Sequence, residues 1–259
     1  MSLSRTHRPG RFSDITGQET ITETLRKQVA GGQTAHAYLF SGPRGVGKTT
    51  SARVLAKALN CENAKEGEPC SECASCNSIS EGSSIDIIEI DAASHNGVDN
   101  VREAILEHVR FTPVKNRYKI YILDEAHMLT GPAWNAMLKT LEEPPEYALF
   151  IFATTELHKI PLTILSRCQR YDFKRINPEL MAKRINDLAK LEKVKIEPSV
   201  VASIVRHAEG CVRDAETLLG QMLALGEKDI NADVAGFVIP LSRVPRAVDL
   251  LSACSSRSL

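Results

Sequence analysis

The residues best suited to do chemistry lie between Gly42 and Thr49, in the run G-P-R-G-V-G-K-T. This is the G-x-x-x-x-G-K-[ST] pattern, in which the backbone N–H groups of a glycine-rich loop surround phosphate groups. Lys48 supplies a positive charge, and the hydroxyl of Thr49 is a ligand for a magnesium ion. The sequence therefore predicts a binding site for a nucleoside triphosphate, made by Gly42, Pro43, Arg44, Gly45, Val46, Gly47, Lys48, Thr49 and Thr50.

The segments on either side of this loop support that interpretation. The apolar residues 37–40 precede it as a predicted strand, and Ala52, Val54, Leu55, Ala58 and Leu59 follow it at helical spacing. The alternative is a glycine-rich surface turn with a coincidental lysine. Such a turn does not require a strand before it and a helix after it, so the order of elements favours nucleotide binding.

An acidic pair is the second candidate. Residues 118–123 form a buried-strand pattern that ends in Asp124 and Glu125, and the carboxyl ends of parallel strands are where such sheets carry their chemistry. The first carboxylate can hold magnesium, and the second can orient an attacking water or accept its proton. Acidic residues at a strand end are often ordinary loop residues, but beside a phosphate loop a catalytic role is favoured.

Two further candidates follow the next predicted strand. Residues 148–153 lead into Thr154 and Thr155, and one of these hydroxyls can reach the terminal phosphate or its water. Arg167 lies in the run I-L-S-R-C. By its chemistry alone it is only a candidate, because surface arginines are common.

Four cysteines lie close together in the pattern C-x8-C-x2-C-x2-C, at Cys61, Cys70, Cys73 and Cys76. Four thiolates suit a closed tetrahedral zinc site, and this Glu-, Ser-, Ala- and Gly-rich segment needs such support to fold. An iron–sulfur cluster and reduced free thiols are the alternatives. The remaining cysteines, Cys168, Cys211 and Cys254, are expected only to pack.

Composition limits the classes of function. Lysine plus arginine and aspartate plus glutamate both number 32 in 259 residues, so bulk charge does not predict autonomous binding to nucleic acid or an anionic membrane. Weak candidates for a local DNA contact are Ser94, His95 and Asn96 at a predicted helix entry. The sequence has no apolar run of about eighteen residues and no signal-peptide pattern at its start, so a cytoplasmic location is expected.

The pattern of elements predicts two domains. Residues 1–17 are expected to form an extended arm, and residues 1–176 as a whole to form an α/β domain with a parallel sheet. Helical patterns at residues 180–191, 199–208 and 212–225 predict a small helical domain over residues 177–240. The final segment, residues 241–259, has one short helical signal at 247–251 and is expected to be poorly anchored.

Taken together, these residues resemble the AAA+ ATPases of DNA clamp loaders, up to about residue 240. The resemblance rests on motifs in the family's order: G-P-R-G-V-G-K-T-T, the cysteine insert, D-A-A-S, L-D-E-A-H-M-L, L-K-T-L-E-E-P-P, A-T-T and I-L-S-R-C. It implies a three-layer P-loop AAA+ domain with a zinc module inserted at residues 61–76. A helical lid domain then follows, and residues 241–259 would begin a collar domain that this chain lacks.

The resemblance also assigns roles that chemistry alone does not. Arg167 is similar to the arginine finger that reaches ATP on the neighbouring subunit, and Thr155 is similar to the sensor beside the γ-phosphate. Arg213, in G-C-V-R-D-A, resembles a second sensor on the lid. The family's adenine-side box is matched by Arg8, Pro9, Gly17 and Gln18.

The implied function is that of an ATPase motor that loads a sliding clamp onto primed DNA. It would act in a hetero-oligomeric ring with other loader subunits, within a DNA polymerase holoenzyme but without a polymerase active site of its own, and away from membranes. Its cofactors would be ATP, Mg²⁺ and Zn²⁺. One alternative is a non-hydrolysing structural subunit of the ring. The other is an AAA+ helicase or branch-migration motor, which the cysteine insert and S-R-C oppose.

Overall fold

A five-stranded parallel sheet forms the centre of the first 176 residues in the computed structural model, which describes residues 3–239. Its strands are β1 (Ala37–Ser41), β2 (Ile87–Asp91), β3 (Lys119–Asp124), β4 (Ala148–Thr154) and β5 (Gln169–Asp172). They lie in the order β2-β3-β4-β1-β5. Ser41 pairs with Thr154, and Asp91 pairs with Asp124. The carboxyl ends of the inner strands therefore form one continuous edge.

Helices cover both faces of this sheet. Residues 3–176 contain α1 (Leu3–Thr6), α2 (Glu19–Ala30), α3 (Lys48–Asn60), α4 (Ala74–Glu81), α5 (Val98–Val101), α6 (Gly131–Glu142) and α7 (Leu162–Leu165). Short 3₁₀ turns lie at Phe12–Asp14, Ala126–Met128 and Leu157–Lys159. Packing of α2 and α3 on one face and of α5 to α7 on the other gives three layers. The predicted parallel α/β fold is confirmed.

The strand sequences explain why the sheet is buried on both faces. Along β3, Ile120 and Ile122 pack in the cluster that contains α3, whereas Tyr121 and Leu123 pack in the cluster that contains α6. All four are fully buried. Successive side chains of a strand point to opposite faces, so a continuous apolar run is what a covered parallel sheet requires.

A helical part follows the sheet. It contains α8 (Pro178–Leu191), α9 (Pro198–Ala208), α10 (Val212–Leu223) and α11 (Ala232–Val238), with the two-residue strands β6 (Lys195–Ile196) and β7 (Asp229–Ile230). Its first helix begins with Asn177 as N-cap, whose side chain accepts the N–H of Glu179, and with Pro178 in the first turn. These helices share a hydrophobic core of their own, which also includes Leu3.

Several local predictions were wrong. Residues 3–17 are not an extended arm, because they form the short helix α1 and a 3₁₀ turn. Leu3 packs against the helical part, and Phe12 is buried in the core of the sheet. The helix predicted to follow residues 94–96 is α-helical only over Val98–Val101 and continues as π-helix over Arg102–Leu106. The helical part contains the short pair β6–β7, although no strand was expected there.

Predictions for the last residues lie outside the described part of the chain. These are the collar remnant at residues 241–259, the helical signal at 247–251 and the packing of Cys254. Between residues 3 and 239, no helix is both long and apolar enough to cross a membrane.

Candidate nucleotide and metal sites

The phosphate loop connects β1 to α3 and depends on its glycines. Gly42 and Gly45 have φ values of +143° and +71°. A Cβ at Gly42 would lie 2.4 Å from the carbonyl oxygen of Phe173, and one at Gly45 would lie 2.2 Å from Cys211 Sγ. The loop conformation therefore excludes side chains at both positions.

Lys48 is the first residue of α3, and its ammonium turns back to the loop. Its Nζ donates to the carbonyl oxygens of Gly42 at 2.8 Å and Pro43 at 2.7 Å. The residue is only 6% exposed, and this burial lowers the pKa of the ammonium. A buried cation beside a glycine-rich loop fits the phosphates of a nucleotide.

Asp124 lies at the carboxyl end of β3, next to the start of α3. Its Oδ2 accepts a hydrogen bond from Thr49 Oγ1 at 2.7 Å, and its Oδ1 accepts the N–H of Glu125 at 3.0 Å. A carboxylate and a hydroxyl in contact present the hard oxygen ligands that Mg²⁺ prefers. The donor set therefore fits the expected metal.

Glu125 leaves the strand in the left-handed conformation, with φ of +47°. Its Oε2 accepts a hydrogen bond from Thr155 Oγ1 at 3.1 Å and lies 3.5 Å from Nδ1 of His127. His127 also contacts Thr154 Oγ1 at 3.1 Å through Nδ1 and Glu156 Oε1 at 3.2 Å through Nε2. The sequence interpretation gave no role to His127, although it lies two residues after Glu125 in the motif L-D-E-A-H-M-L.

A cleft separates this edge of the sheet from the helical part. It is lined by Lys48, Asp124 and Glu125 on the sheet side and by Arg213 of α10 on the other. The N–H groups of Val212 and Arg213 donate to the carbonyl oxygen of Gly45 at 3.0 and 3.4 Å. The first turn of α10 is thus bonded directly to the phosphate loop.

The N-terminal segment closes one end of the cleft. Arg8 and Pro9 line it, and the carbonyl of the preceding His7 accepts a hydrogen bond from Arg184 Nη2 at 2.8 Å. Arg184 also pairs with Glu216 at 2.9 Å, where burial raises the pKa of the carboxyl against the opposing charge of Arg184. No local pattern predicts this pair, because its members lie 32 residues apart on neighbouring helices.

Gly17 and Gln18 lie elsewhere within the described residues: they do not line the cleft. Gln18 is 4% exposed, and its Nε2 donates to the carbonyls of Lys174 at 2.7 Å and Val46 at 3.4 Å. Gly17 has φ of +75°, and a Cβ there would lie 2.8 Å from a methyl group of Ile176. Gln18 supports the loop from outside the cleft through its bond to Val46, and contact of Gly17 or Gln18 with an adenine ring stays a prediction.

Arg167 also lies away from the cleft of its own chain, as far as the described residues define it. Its Nη2 is 2.5 Å from Glu142 Oε1, and its Nη1 donates to the carbonyl of Thr163 and to Ser166 Oγ. The side chain is 30% exposed. It follows that Arg167 does not reach the phosphate loop of the same chain in this structure.

The four clustered cysteines come together. Their sulfur atoms all lie within 4.8 Å of one another, and four thiolates bound to zinc at 2.3 Å lie about 3.8 Å apart. Cys73 is the N-cap of α4 and accepts the N–H of Cys76. Hydrogen bonds from the N–H groups of Glu72 and Cys73 lower the pKa of the Cys70 thiol to about 6, whereas burial raises the pKa of the Cys61 and Cys76 thiols, so of these three only Cys70 is favoured as a thiolate without a metal. The cluster fits a zinc ion.

The cysteine segment is bonded to the N-terminal segment. The carboxylate of Glu68 accepts the N–H groups of Phe12 at 2.9 Å and Ser13 at 3.0 Å. Arg11 Nη2 donates to the carbonyl of Cys70 at 3.1 Å. The cysteine segment therefore holds the residues that directly follow the cleft-lining Arg8 and Pro9.

The weak DNA candidates lie just beyond the carboxyl end of β2. Ser94 Oγ donates to Asp91 Oδ2 at 3.1 Å, and the carbonyl of Asn96 accepts the N–H of Thr130 at 3.1 Å. His95 is exposed. A role for these residues in DNA contact stays a prediction.

Comparison with known proteins decides the family. Residues 17–177 match the model of the family described as "DNA polymerase III, delta subunit". The chain belongs to this family. The matched region of this DNA polymerase III family contains the phosphate loop, the acidic pair, the cysteine cluster and Arg167.

Curated relatives in bacteria carry related names. DNA polymerase III subunit tau of Bacillus subtilis is 53% identical over 223 residues, which are 86% of this chain and 39% of that protein. Subunit gamma/tau of Mycoplasma genitalium is 49% identical over 83% of this chain and 36% of its own length. Subunit tau of Escherichia coli is 41% identical over 97% of this chain and 39% of its own length. The resemblance to the clamp-loader family is confirmed, and the chain spans little more than a third of these relatives.

The solved structures confirm the fold. The Holliday junction branch migration motor RuvB of Thermotoga maritima aligns with a TM-score of 0.64 at 18% identity, covering 88% of this chain and 70% of that chain. A mutant of RuvB from Thermotoga maritima aligns with a TM-score of 0.66 at 16% identity, covering 91% of this chain and 73% of that chain. At this identity the likeness extends to the α/β fold and no further.

Proposed function

We propose that the chain is an ATP-hydrolysing motor subunit of a bacterial clamp loader, which places a sliding clamp on primed DNA during replication. The observation that carries the proposal is the row of hydrogen bonds from Thr49 through Asp124 and Glu125 to Thr155. This row lies along the carboxyl edge of the sheet, beside the buried Lys48. A subunit that only supports a ring needs no such row of groups.

Each group has a task in hydrolysis. The loop glycines and Lys48 would hold the phosphates, and Thr49 and Asp124 would hold the magnesium ion. When bound, magnesium supplies positive charge that offsets the charge developing on the phosphates. Glu125 accepts a proton from the attacking water, and Thr155 keeps the carboxylate in place through its bond to Oε2.

We further propose that the site is completed by a second subunit. Arg167 would act as an arginine finger on ATP bound to a neighbour, which fits its distance from the cleft of its own chain. Arg213, on the helical lid of residues 177–240, would sense the nucleotide of its own subunit. Its neighbour Val212 shares the bond to Gly45 that joins the lid to the phosphate loop.

The wider assembly is part of the proposal. Residues 1–176 would be the AAA+ domain, with a structural zinc module at residues 61–76. The partners would be other loader subunits, the sliding clamp and primed DNA, in the cytoplasm. The names of the bacterial relatives support a place in DNA polymerase III.

The test is a Glu125→Gln variant, assayed for ATP binding and for hydrolysis with loader subunits, clamp and primed DNA. ATP affinity should stay within about twofold, while hydrolysis falls by at least a hundredfold, since the carboxylate acts on the water. A Glu103→Gln variant, on an exposed helical surface, is the matched control. Hydrolysis that is absent from the unsubstituted protein in the full mixture would instead support a non-hydrolysing structural subunit.

A further inference from the structure

We propose that His127 is a positioning residue for Glu125, which holds one oxygen of this carboxylate toward the protein and leaves the other for water. The inference rests on the proposed function, in which Glu125 accepts the proton of the attacking water. It adds a residue that the motif pattern did not assign to any task.

His127 is enclosed between the end of β3 and the end of β4. Its side chain is 7% exposed. Nδ1 lies 3.1 Å from Thr154 Oγ1 and 3.5 Å from Glu125 Oε2, and Nε2 lies 3.2 Å from Glu156 Oε1. Both ring nitrogens therefore face oxygen atoms, and these three contacts fix the plane of the ring.

The chemistry of the partners determines how the ring is oriented. An ionised carboxylate only accepts hydrogen bonds, so the ring holds both Glu156 and Glu125 in the form with a proton on each nitrogen: Nε2–H donates to Glu156, and Nδ1–H faces Glu125 and Thr154. Glu156 is itself held by Lys159 Nζ at 2.9 Å, and the hydrogen bond from Lys159 lowers the pKa of the Glu156 carboxyl. The bond to an anchored carboxylate keeps Nδ1 directed at Thr154 and Glu125.

Glu125 needs such support because its own backbone gives little. It lies at a left-handed turn and is followed by the 3₁₀ turn Ala126–Met128, and its side chain is 34% exposed. Thr155 and His127 both contact Oε2. Among the described residues, no hydrogen-bond donor reaches Oε1, which is free to accept a proton from water. Fixing Oε2 therefore sets the direction in which Oε1 points.

The experiment is a double-mutant cycle in the mixture of this chain with loader subunits, clamp and primed DNA, in which a neighbouring subunit can supply Arg167. His127→Gln is made alone and together with Glu125→Gln, and single-turnover ATP hydrolysis, ATP affinity and Tm are measured for each protein. His158→Gln is the matched control, because His158 lies 3.7 Å from the same Glu156 but is 76% exposed. In the unsubstituted background, His127→Gln should lower the hydrolysis rate by about tenfold or more, since small misplacements of a catalytic group carry losses of that order.

The Glu125→Gln background distinguishes a positioning role of His127 from a purely structural one. Once Glu125 is replaced, His127→Gln should change the residual rate by less than about twofold, because the group it positions is gone. ATP affinity should stay within about twofold throughout. An equal loss of rate in both backgrounds, or a parallel loss of ATP affinity, would overturn the inference and leave the proposed function standing. An unsubstituted chain that hydrolyses ATP no faster than Glu125→Gln in this mixture would overturn both the inference and the proposed function.

Discussion

Arg167 and Glu142 form an ion pair of 2.5 Å between the segment after α7 and the end of α6. The two side chains are 30% and 50% exposed. Ion pairs of this exposure contribute about 0–1 kcal/mol to stability, since water screens them. Breaking this ion pair therefore costs little, as the proposed reach of the guanidinium to a phosphate group on another subunit requires.

Replacement of Arg167 should reveal this exchange. Arg167→Ala should leave ATP affinity and the slow hydrolysis of the isolated chain unchanged. In the assembled loader it should lower hydrolysis by about a thousandfold, the typical contribution of an arginine finger. Arg170→Ala is the control, because Arg170 forms a similar exposed pair with Asp172. Equal losses in the isolated chain and the assembly would contradict a role on the neighbour.

The contact between Thr49 and Asp124 predicts dependence on magnesium. Thr49→Ala removes the hydroxyl that lies 2.7 Å from Asp124 Oδ2. The Mg²⁺ concentration needed for half-maximal hydrolysis should rise about tenfold, because a lost oxygen ligand weakens the site by roughly 1.4 kcal/mol. ATP binding without Mg²⁺ should stay unchanged, and Thr24→Ala on α2 is the control. An unchanged Mg²⁺ requirement would show that Thr49 is not a ligand.

Metal analysis should find about one zinc ion per chain, held by the four clustered thiolates. Cys73→Ser should abolish zinc binding and lower Tm by about 5 °C or more, since structural zinc contributes several kcal/mol to folding. Cys168→Ala should retain the metal, because Cys168 packs beside the core of the sheet instead. Metal-free protein with an unchanged Tm would contradict a structural zinc site.

Asp86 predicts how stability depends on pH. It is 1% exposed. Burial opposes its ionisation, but hydrogen bonds from the N–H groups of Val114, Lys115 and Asn116 outweigh burial and lower the pKa below its ordinary value of 3.8. A carboxyl with a lowered folded pKa stabilises the protein fully above the unfolded pKa, and this contribution is lost as pH falls through the folded pKa.

Asp86→Asn should therefore lower the free energy of unfolding at pH 7 by about 2 kcal/mol, the scale of a hydrogen bond to a charged group. The difference from the unsubstituted protein should narrow as pH falls below 3.8. Urea unfolding at several pH values measures both effects. Asp187→Asn, at an exposed helical position, should change neither. A difference that stays constant down to pH 2 would exclude ionisation of Asp86 as the cause.

The strands differ in how well the sequence predicts them. All residues of β1 and β4 are buried, so their apolar runs are visible in the sequence alone. The edge strand β5 has the sequence Q-R-Y-D, and only Tyr171 of these residues is buried. It was not predicted, because it becomes a strand by pairing with β1, which is a contact distant in the sequence.

The residues of the candidate site also differ in how well the sequence predicts them. The phosphate loop and the acidic pair are local motifs, so residue type and spacing suffice to find them. The contacts of His127 with Glu156, and of Arg184 with Glu216, join residues from different elements. Their side chains come into contact only after the sheet and the helices have packed, so local sequence patterns do not predict these contacts.

The bond between the carbonyl of Gly45 and the first turn of α10 has a mechanical consequence. This helix has twelve residues and, at 1.5 Å per residue, extends about 18 Å away from the loop. The first turn of α10 is therefore fixed at Gly45, while its last turn lies about 18 Å from this point. A small change in the shape of the loop swings the far end of the helix, and the helices packed on it, through a larger arc than the loop itself travels.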